Sequence, residues 1–145
     1  MPAWVSEAYE QYLKRLPKTY RIELIEINPV KRTKTANKNN ILKQESERIL
    51  AAIPENSTVI ALDEKGKAVS SKHFSQKLDY WQLEAVNPVF LIGGADGLSP
   101  ECLQKSDDTW SLSTLTFPHA MVRVIMIEQI YRAWSILQGH PYHRE

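Results

Sequence analysis

The apolar positions of the first 40 residues predict a helix, a strand and then a polar connection. In residues 4–16 apolar side chains recur at helical spacing, and Pro17 ends the predicted helix. Residues 20–27 are rich in β-forming side chains and predict a strand. Residues 31–40 are polar and include four Lys and Arg side chains. They predict a mobile loop, which is either a solvated connection or an arm that contacts nucleic-acid phosphates.

The middle of the chain alternates apolar strands with amphipathic helices. Asn40 is expected to cap a helix that continues to about residue 50. The apolar run at residues 58–62 is typical of a strand covered on both faces, and the polar residues 63–67 predict a turn after it. A helix is predicted after Ser70, and its buried stripe is Phe74, Leu78 and Trp81.

The same alternation continues with a strand at residues 89–92, a short helix after Ser99 and a strand at residues 110–113. Strands that alternate with helices predict an α/β fold, with a parallel sheet and helices on both of its faces. A length of 145 residues fits a single domain, residues 1–145.

The last predicted helix, residues 119–137, is apolar around nearly its whole circumference. A helix of this kind must be buried on all sides. At the end of a small domain, burial on all sides usually requires a second subunit, so we predict a homodimer that forms through this helix.

Composition restricts the class of protein. The net charge of +1 indicates no strongly basic surface, so any nucleic-acid contact must be local. Cys102 is the only cysteine, which excludes an internal disulfide and suits a reducing compartment. No apolar run approaches the roughly 20 residues of a membrane span, and the first residues lack the form of a signal peptide. We therefore expect a cytoplasmic protein without a membrane partner.

The glycine-rich segment after the residue 89–92 strand is the first candidate site. Three glycines in residues 93–97 allow a sharp turn and a close ligand approach. A second strand-ending turn follows residues 110–113, and the two turns would face one crevice at the carboxyl edge of a parallel sheet. The glycine spacing matches neither a dinucleotide fingerprint nor a P-loop, so a tight structural corner remains an alternative.

The other candidate groups favour structural roles. His140 and His143 have a spacing that can bind metal, but Pro141 lies between them and no third ligand is evident, so no metal is expected. His73 is expected to be solvent-exposed, and Cys102 is expected to be a buried structural thiol. The C-terminal tail combines side chains that can stack on a base, move a proton and bind phosphate, although terminal residues are usually disordered.

Several motifs resemble the bacterial large-subunit ribosomal RNA pseudouridine N3-methyltransferases (RlmH) of the SPOUT class. They are LIGGADGLSP, SLSTLTFPH, MVRV and YRAWSI…HPYHRE, and similarity extends through essentially the whole chain. The resemblance implies a C-terminal trefoil knot, a homodimer, and S-adenosyl-L-methionine as methyl donor. The implied substrate is a pseudouridine in helix 69 of 23S rRNA, in the assembled ribosome.

Carried over by position, the resemblance implies a donor site at both strand-ending turns. Its residues would be Leu62, Gly93, Leu112, Ser113, Thr114, Leu115, Thr116 and Phe117. The tail maps onto Tyr142, His143 and Arg144. We hypothesise that Tyr142 orients the base, that His143 helps to remove the N3 proton, and that Arg144 stabilises the uracil anion or a phosphate. Which of these residues accepts the proton is left open.

This sequence departs from the family at one place. Family members begin with a short apolar strand ahead of the segment that matches residues 1–5, and this chain has none. That strand would pair with residues 20–27, so we expect the latter to be displaced or loosely held. The departure also favours a second hypothesis, a non-catalytic dimer that binds RNA or the ribosome and retains the fold.

Overall fold

The computed structural model describes residues 1–31, 33, 37–94 and 96–142, and its chain forms two compact units. One unit comprises Met1–Glu23, Ala68–Val86 and Leu115–Glu145, and the other comprises Leu24–Lys67 and Asn87–Thr114. Each unit therefore gathers segments that are distant in the sequence. The assignment of residues 1–145 to a single domain stays a prediction.

The first unit contains three helices, α1 (Ala3–Leu13), α3 (Ser71–Leu83) and α5 (His119–Leu137). Both α1 and α3 pack against α5. The Ser70 hydroxyl accepts a hydrogen bond from the backbone N–H of His73 at 3.0 Å and so caps the start of α3. The predicted stripe of α3 is confirmed, since its buried apolar residues are Phe74, Leu78 and Trp81.

Helix α5 has the bounds that its apolar pattern predicted. Its fully buried positions are Met126, Ile127, Tyr131, Ala133 and Ser135. Many of its remaining apolar side chains are only half-buried, and Met121 is 39% exposed. The homodimer that the apolar circumference indicates stays a prediction.

The second unit contains the sheet, with β1 (Ser57–Ala68) between β2 (Asn87–Leu91) and β3 (Asp108–Ser111). Strands β1 and β2 are parallel, and their register pairs Val59 with Val89 and Ala61 with Leu91. The same unit contains α2 (Lys38–Ala52) and α4 (Pro100–Lys105), which contact each other. The predicted α/β class with a parallel sheet and flanking helices is confirmed.

An apolar cluster lies between this sheet and its helices. Its buried members are Val59, Ala61, Leu91, Leu98 and Cys102, and the half-buried Ile49 and Leu103 pack against them. Cys102 is completely buried and is not in a disulfide, as expected for a structural thiol. The continuous apolar run of β1 is explained by this burial.

The predicted strand at residues 20–27 is wrong. Ile22 and Leu24 are half-buried, as alternation indicates, but the segment is irregular and pairs with none of the three strands of the sheet. An extended segment becomes a strand only beside a partner that takes its backbone hydrogen bonds. The expectation that this segment is displaced from the sheet agrees with the structure.

Three smaller predictions also need correction. Asn37, not Asn40, caps α2, because its side chain accepts a hydrogen bond from Asn39 N at 2.8 Å. Residues 63–67 continue β1 instead of ending it, since Gly66 lets the backbone lie directly against Thr109. His73 is half-buried rather than exposed, and its Nε2 atom is buried.

Candidate functional site

The glycine turn after β2 is closed by contacts between its own backbone groups. Gly94 and Gly97 form an isolated antiparallel bridge, and Gly97 N donates a hydrogen bond to Gly94 O at 3.0 Å. Gly97 has φ +76°, a conformation that favours glycine. A Cβ on Gly93 would lie 2.5 Å from the carbonyl carbon of Gly97. The turn therefore requires glycine at position 93 for backbone packing.

Side chains on both flanks hold this turn in place. The Lys38 ammonium lies 3.9 Å from an Asp96 carboxylate oxygen that belongs to a largely buried side chain. On the far side, the buried Ser99 caps α4, since its hydroxyl accepts a hydrogen bond from Cys102 N at 3.1 Å. The turn is thus tied to the starts of α2 and α4.

Leu62, within β1, lies close to Gly93, which follows the neighbouring strand β2. The parallel register ends with Ala61 opposite Leu91, so Leu62 and Gly93 are one and two residues beyond the last pair. Both residues are half-buried. Leu62 is not at the end of its strand, because β1 continues to Ala68.

The segment after β3 is irregular until α5 begins. The buried Ser111 donates a hydrogen bond from its hydroxyl to the Ser113 carbonyl at 3.0 Å, which shapes the start of this loop. Leu112 and Ser113 are half-buried, whereas Leu115 is 67% exposed. Because β1 lies between β2 and β3, the sheet places Leu62 within β1, Gly93 just after β2 and residues 112–114 just after β3.

The remaining donor-site residues and the tail belong to the helical unit. Leu115, Thr116 and Phe117 lead into α5, and Tyr142 is the last residue that the structure describes. His143 and Arg144 lie outside the described residues, as do Arg32 and Lys34 of the basic segment. The proposed roles of these residues stay predictions.

Tyr142 packs into a cluster formed by α1 and α5. Its hydroxyl lies 3.3 Å from the Tyr12 hydroxyl and donates a hydrogen bond to Glu128 Oε1 at 3.3 Å. Its ring stands edge-on to Tyr131, with 4.6 Å between centroids. Burial, the hydrogen bond with Tyr12 and the charge of Glu128 together raise the pKa of Tyr142 well above the usual tyrosine value. Tyr142 is therefore a neutral phenol near pH 7.

Sequence reasoning missed three members of this cluster. Tyr12 looked like one more apolar position of α1, and Glu128 and Arg132 looked like polar breaks in α5. The Glu128–Arg132 spacing of four residues was a usable signal, because side chains at that spacing meet on a helix. Their ion pair has an N–O distance of 2.7 Å.

A groove of about 510 Å³ lies elsewhere in the sheet unit. Its lining residues are Asp63, Lys65, Gly66, Lys67, Leu103, Ser106, Asp107, Asp108 and Thr109. None of them is among the residues predicted to bind the donor.

Within the described residues, no three His, Cys, Asp or Glu side chains are grouped as metal ligands would be. None of the helices that the structure describes is long and apolar enough to cross a membrane.

Comparison with known proteins assigns the chain to a family. A family model described as "Predicted SPOUT methyltransferase" matches residues 1–143. A protein named ribosomal RNA large subunit methyltransferase H from Saccharophagus degradans is 50% identical over 99% of this chain and 93% of its own length. Proteins of the same name from Thioalkalivibrio sulfidiphilus and Nitrosococcus oceani are 50% and 47% identical, over 100% and 99% of this chain and 93% and 92% of their own lengths. The chain therefore belongs to the SPOUT methyltransferase family and, within it, to the ribosomal RNA large subunit methyltransferase H group.

Proposed function

We propose that this protein is an S-adenosyl-L-methionine-dependent methyltransferase of large-subunit ribosomal RNA. The specific substrate is N3 of a pseudouridine in helix 69 of 23S rRNA, within the assembled ribosome in the cytoplasm. The enzyme acts as a homodimer with a C-terminal trefoil knot. The observation that carries this proposal is the identity of about half of all residues, over nearly the full chain, with relatives that are named as ribosomal RNA large subunit methyltransferases.

The residues proposed to hold the methyl donor have suitable chemistry. A nucleoside with a methionyl chain needs apolar walls and a backbone that it can approach closely. Leu62, Leu112 and Phe117 are half-buried apolar side chains. Gly93 lets the backbone pack closely against Gly97, and the adjacent bridge between Gly94 and Gly97 fixes the path of the turn that borders the proposed site. Ser113, Thr114, Leu115 and Thr116 complete the proposed site.

The tail contributes the groups that act on the RNA base. When bound, S-adenosyl-L-methionine supplies an electrophilic methyl group. N3 must lose its proton before it can accept that group, and we assign the removal of this proton to His143. Arg144 stabilises the uracil anion or a neighbouring phosphate, and Tyr142 orients the base as a neutral phenol. Because α5 carries the tail and is proposed to form the dimer contact, the tail of one subunit completes the site of its partner.

Transfer of labelled methyl groups to ribosomes tests the proposal. Ribosomes that lack the modification should gain about one methyl group per particle, whereas modified ribosomes and free 23S rRNA should gain almost none. Mapping of the label to a helix 69 pseudouridine would support the specific substrate. Calorimetry with S-adenosyl-L-methionine separates the enzyme from a non-catalytic RNA-binding dimer. Absence of donor binding, together with retained ribosome binding, would favour the latter.

A further inference from the structure

The start of the C-terminal tail is fixed by polar contacts from two helices. The Tyr142 hydroxyl is within hydrogen-bond distance of Tyr12 on α1 and of Glu128 on α5, at 3.3 Å in each case. Its backbone N–H donates a hydrogen bond to Nδ1 of His140 at 3.2 Å. Residues near a chain terminus are usually poorly ordered, whereas Tyr142 has hydrogen-bond partners on both α1 and α5.

Aromatic packing adds to these contacts. The Tyr142 ring stands edge-on to Tyr131, and Tyr131 in turn lies tilted against Tyr12 with 6.0 Å between centroids. His140 packs edge-on to Tyr131 at 6.3 Å. Edge-to-face arrangements of this kind place the positive edge of one ring against the negative face of the other. The backbone that leads into the tail is therefore held on a platform of aromatic rings.

An ion pair on α5 sets the polarity of this cluster. Glu128 Oε1 accepts hydrogen bonds from Arg132 Nε at 2.8 Å and from Tyr142. The Arg132 guanidinium carbon also lies 5.0 Å from the centre of the Tyr142 ring, a cation–π distance. The side chains of Glu128 and Arg132 are only 18% and 27% exposed, so solvent weakens their attraction less than at the surface. Arg132 thus holds the Glu128 carboxylate in the position in which it accepts the hydrogen bond from the Tyr142 hydroxyl.

We propose that Tyr12, Glu128 and Arg132 are positioning residues, which hold Tyr142 where it orients the RNA base. This inference rests on the proposed methyl transfer. Contacts from α1 and α5 restrict the orientations of the Tyr142 ring before the base arrives. Restriction of this kind lowers the entropic cost of reaching the reactive geometry and raises kcat. The N-terminal helix thereby takes part in the chemistry of the C-terminal tail.

Tyr12→Phe is the sharpest test, because it removes one hydroxyl and keeps the ring that packs against Tyr131. The matched control is Tyr9→Phe on the same helix, since the buried Tyr9 hydroxyl has no hydrogen-bond partner among the described residues. Loss of one hydrogen bond should shift the equilibrium between bound and released Tyr142 about five-fold toward the released state. In the Tyr12 variant, carboxypeptidase should remove the last residues about five times faster. Its kcat on ribosomes should fall by about the same factor, with donor affinity and ribosome KM within about two-fold.

The two readouts separate the possible outcomes. Equal tail cleavage in the two variants would overturn the proposal, and so would faster cleavage with an unchanged kcat. A parallel fall in kcat, donor affinity and melting temperature would show a general loss of structure and would also overturn it. If the protein without substitutions transfers no methyl group to ribosomes, the proposed function is wrong, and so is this positioning role. The carboxypeptidase rates would then still report whether Tyr12 holds the tail.

Discussion

At the scale of single residues, the glycine turn offers two neighbouring positions with opposite requirements. A Cβ on Gly93 would meet the Gly97 backbone at 2.5 Å, whereas a Cβ on Gly94 would have Glu45 Oε2 as its nearest neighbour at 3.5 Å. The first contact requires the backbone to move, and the second is an ordinary van der Waals distance. Overpacking against backbone usually costs about 1–3 kcal/mol.

We therefore expect Gly93→Ala to lower the free energy of unfolding by about 2 kcal/mol and to weaken donor binding. Gly94→Ala should change the free energy of unfolding by less than about 0.5 kcal/mol and is the matched control. Urea denaturation of both variants measures the first effect, and calorimetry with S-adenosyl-L-methionine measures the second. Equal stability of the two variants would mean that the turn does not depend on the close approach at position 93.

At the scale of elements, Asp108 joins the second half of β1 to β3. Its carboxylate accepts hydrogen bonds from Trp110 Nε1 at 3.0 Å and Thr109 N at 2.9 Å, and it lies 3.3 Å from Lys67 Nζ. Burial alone would raise the pKa of Asp108, but these three donors outweigh it and hold the pKa below 3.8. The ionised carboxylate is thus part of the folded structure of this edge.

Asp108→Ala should lower the free energy of unfolding by about 1–2 kcal/mol, because it removes several hydrogen bonds at a half-buried position. The Lys67 side chain is 59% exposed, so Lys67→Ala should cost less than about 0.5 kcal/mol. Chemical denaturation at pH 7 compares the two variants. A similar loss in both would show that the ion pair, and not the contacts with Trp110 and Thr109, stabilises this edge.

The elements also show what the sequence can predict. The bounds of α5 and the buried stripe of α3 follow from helical spacing, because one turn of a helix is specified by nearby residues. The 20–27 segment has strand-forming side chains but lacks a partner strand, and pairing depends on residues far away in the sequence. Residues 63–67 were misjudged for the same reason, since only contact with β3 explains why Gly66 continues the strand.

The candidate site, like the fold, could be predicted only in part from the sequence. Glycine content and strand-ending positions indicated the two turns as the candidate site, and resemblance to a family supplied the individual donor-site residues and favoured the tail. The contact of Tyr142 with Tyr12 was beyond prediction, because the two residues are 130 positions apart in the sequence. Such contacts depend on how α1 and α5 pack together.

At the scale of the whole molecule, three tyrosines make the free energy of unfolding depend on pH in the alkaline range. The pKa of Tyr9 is raised by burial and by the charges of Glu10 and Glu23, and the pKa of Tyr20 is raised mainly by burial. With Tyr142, all three belong to the helical unit. Above pH 10, the usual tyrosine pKa, the unfolded chain releases these protons before the folded chain does. The folded state then binds more protons than the unfolded state, so stability falls as pH rises.

We expect the free energy of unfolding to be steady with respect to these groups below about pH 10 and to fall above it, by at most about 1.4 kcal/mol per pH unit for each tyrosine. Tyr9→Phe removes one of the three groups and should make the decline shallower. It should also remove a buried hydroxyl that has no hydrogen-bond partner among the described residues, which keeps or raises stability at pH 7. Urea denaturation between pH 8 and about pH 11 measures both effects. An unchanged alkaline slope in this variant would show that Tyr9 titrates alike in the folded and unfolded states, and that the decline arises elsewhere.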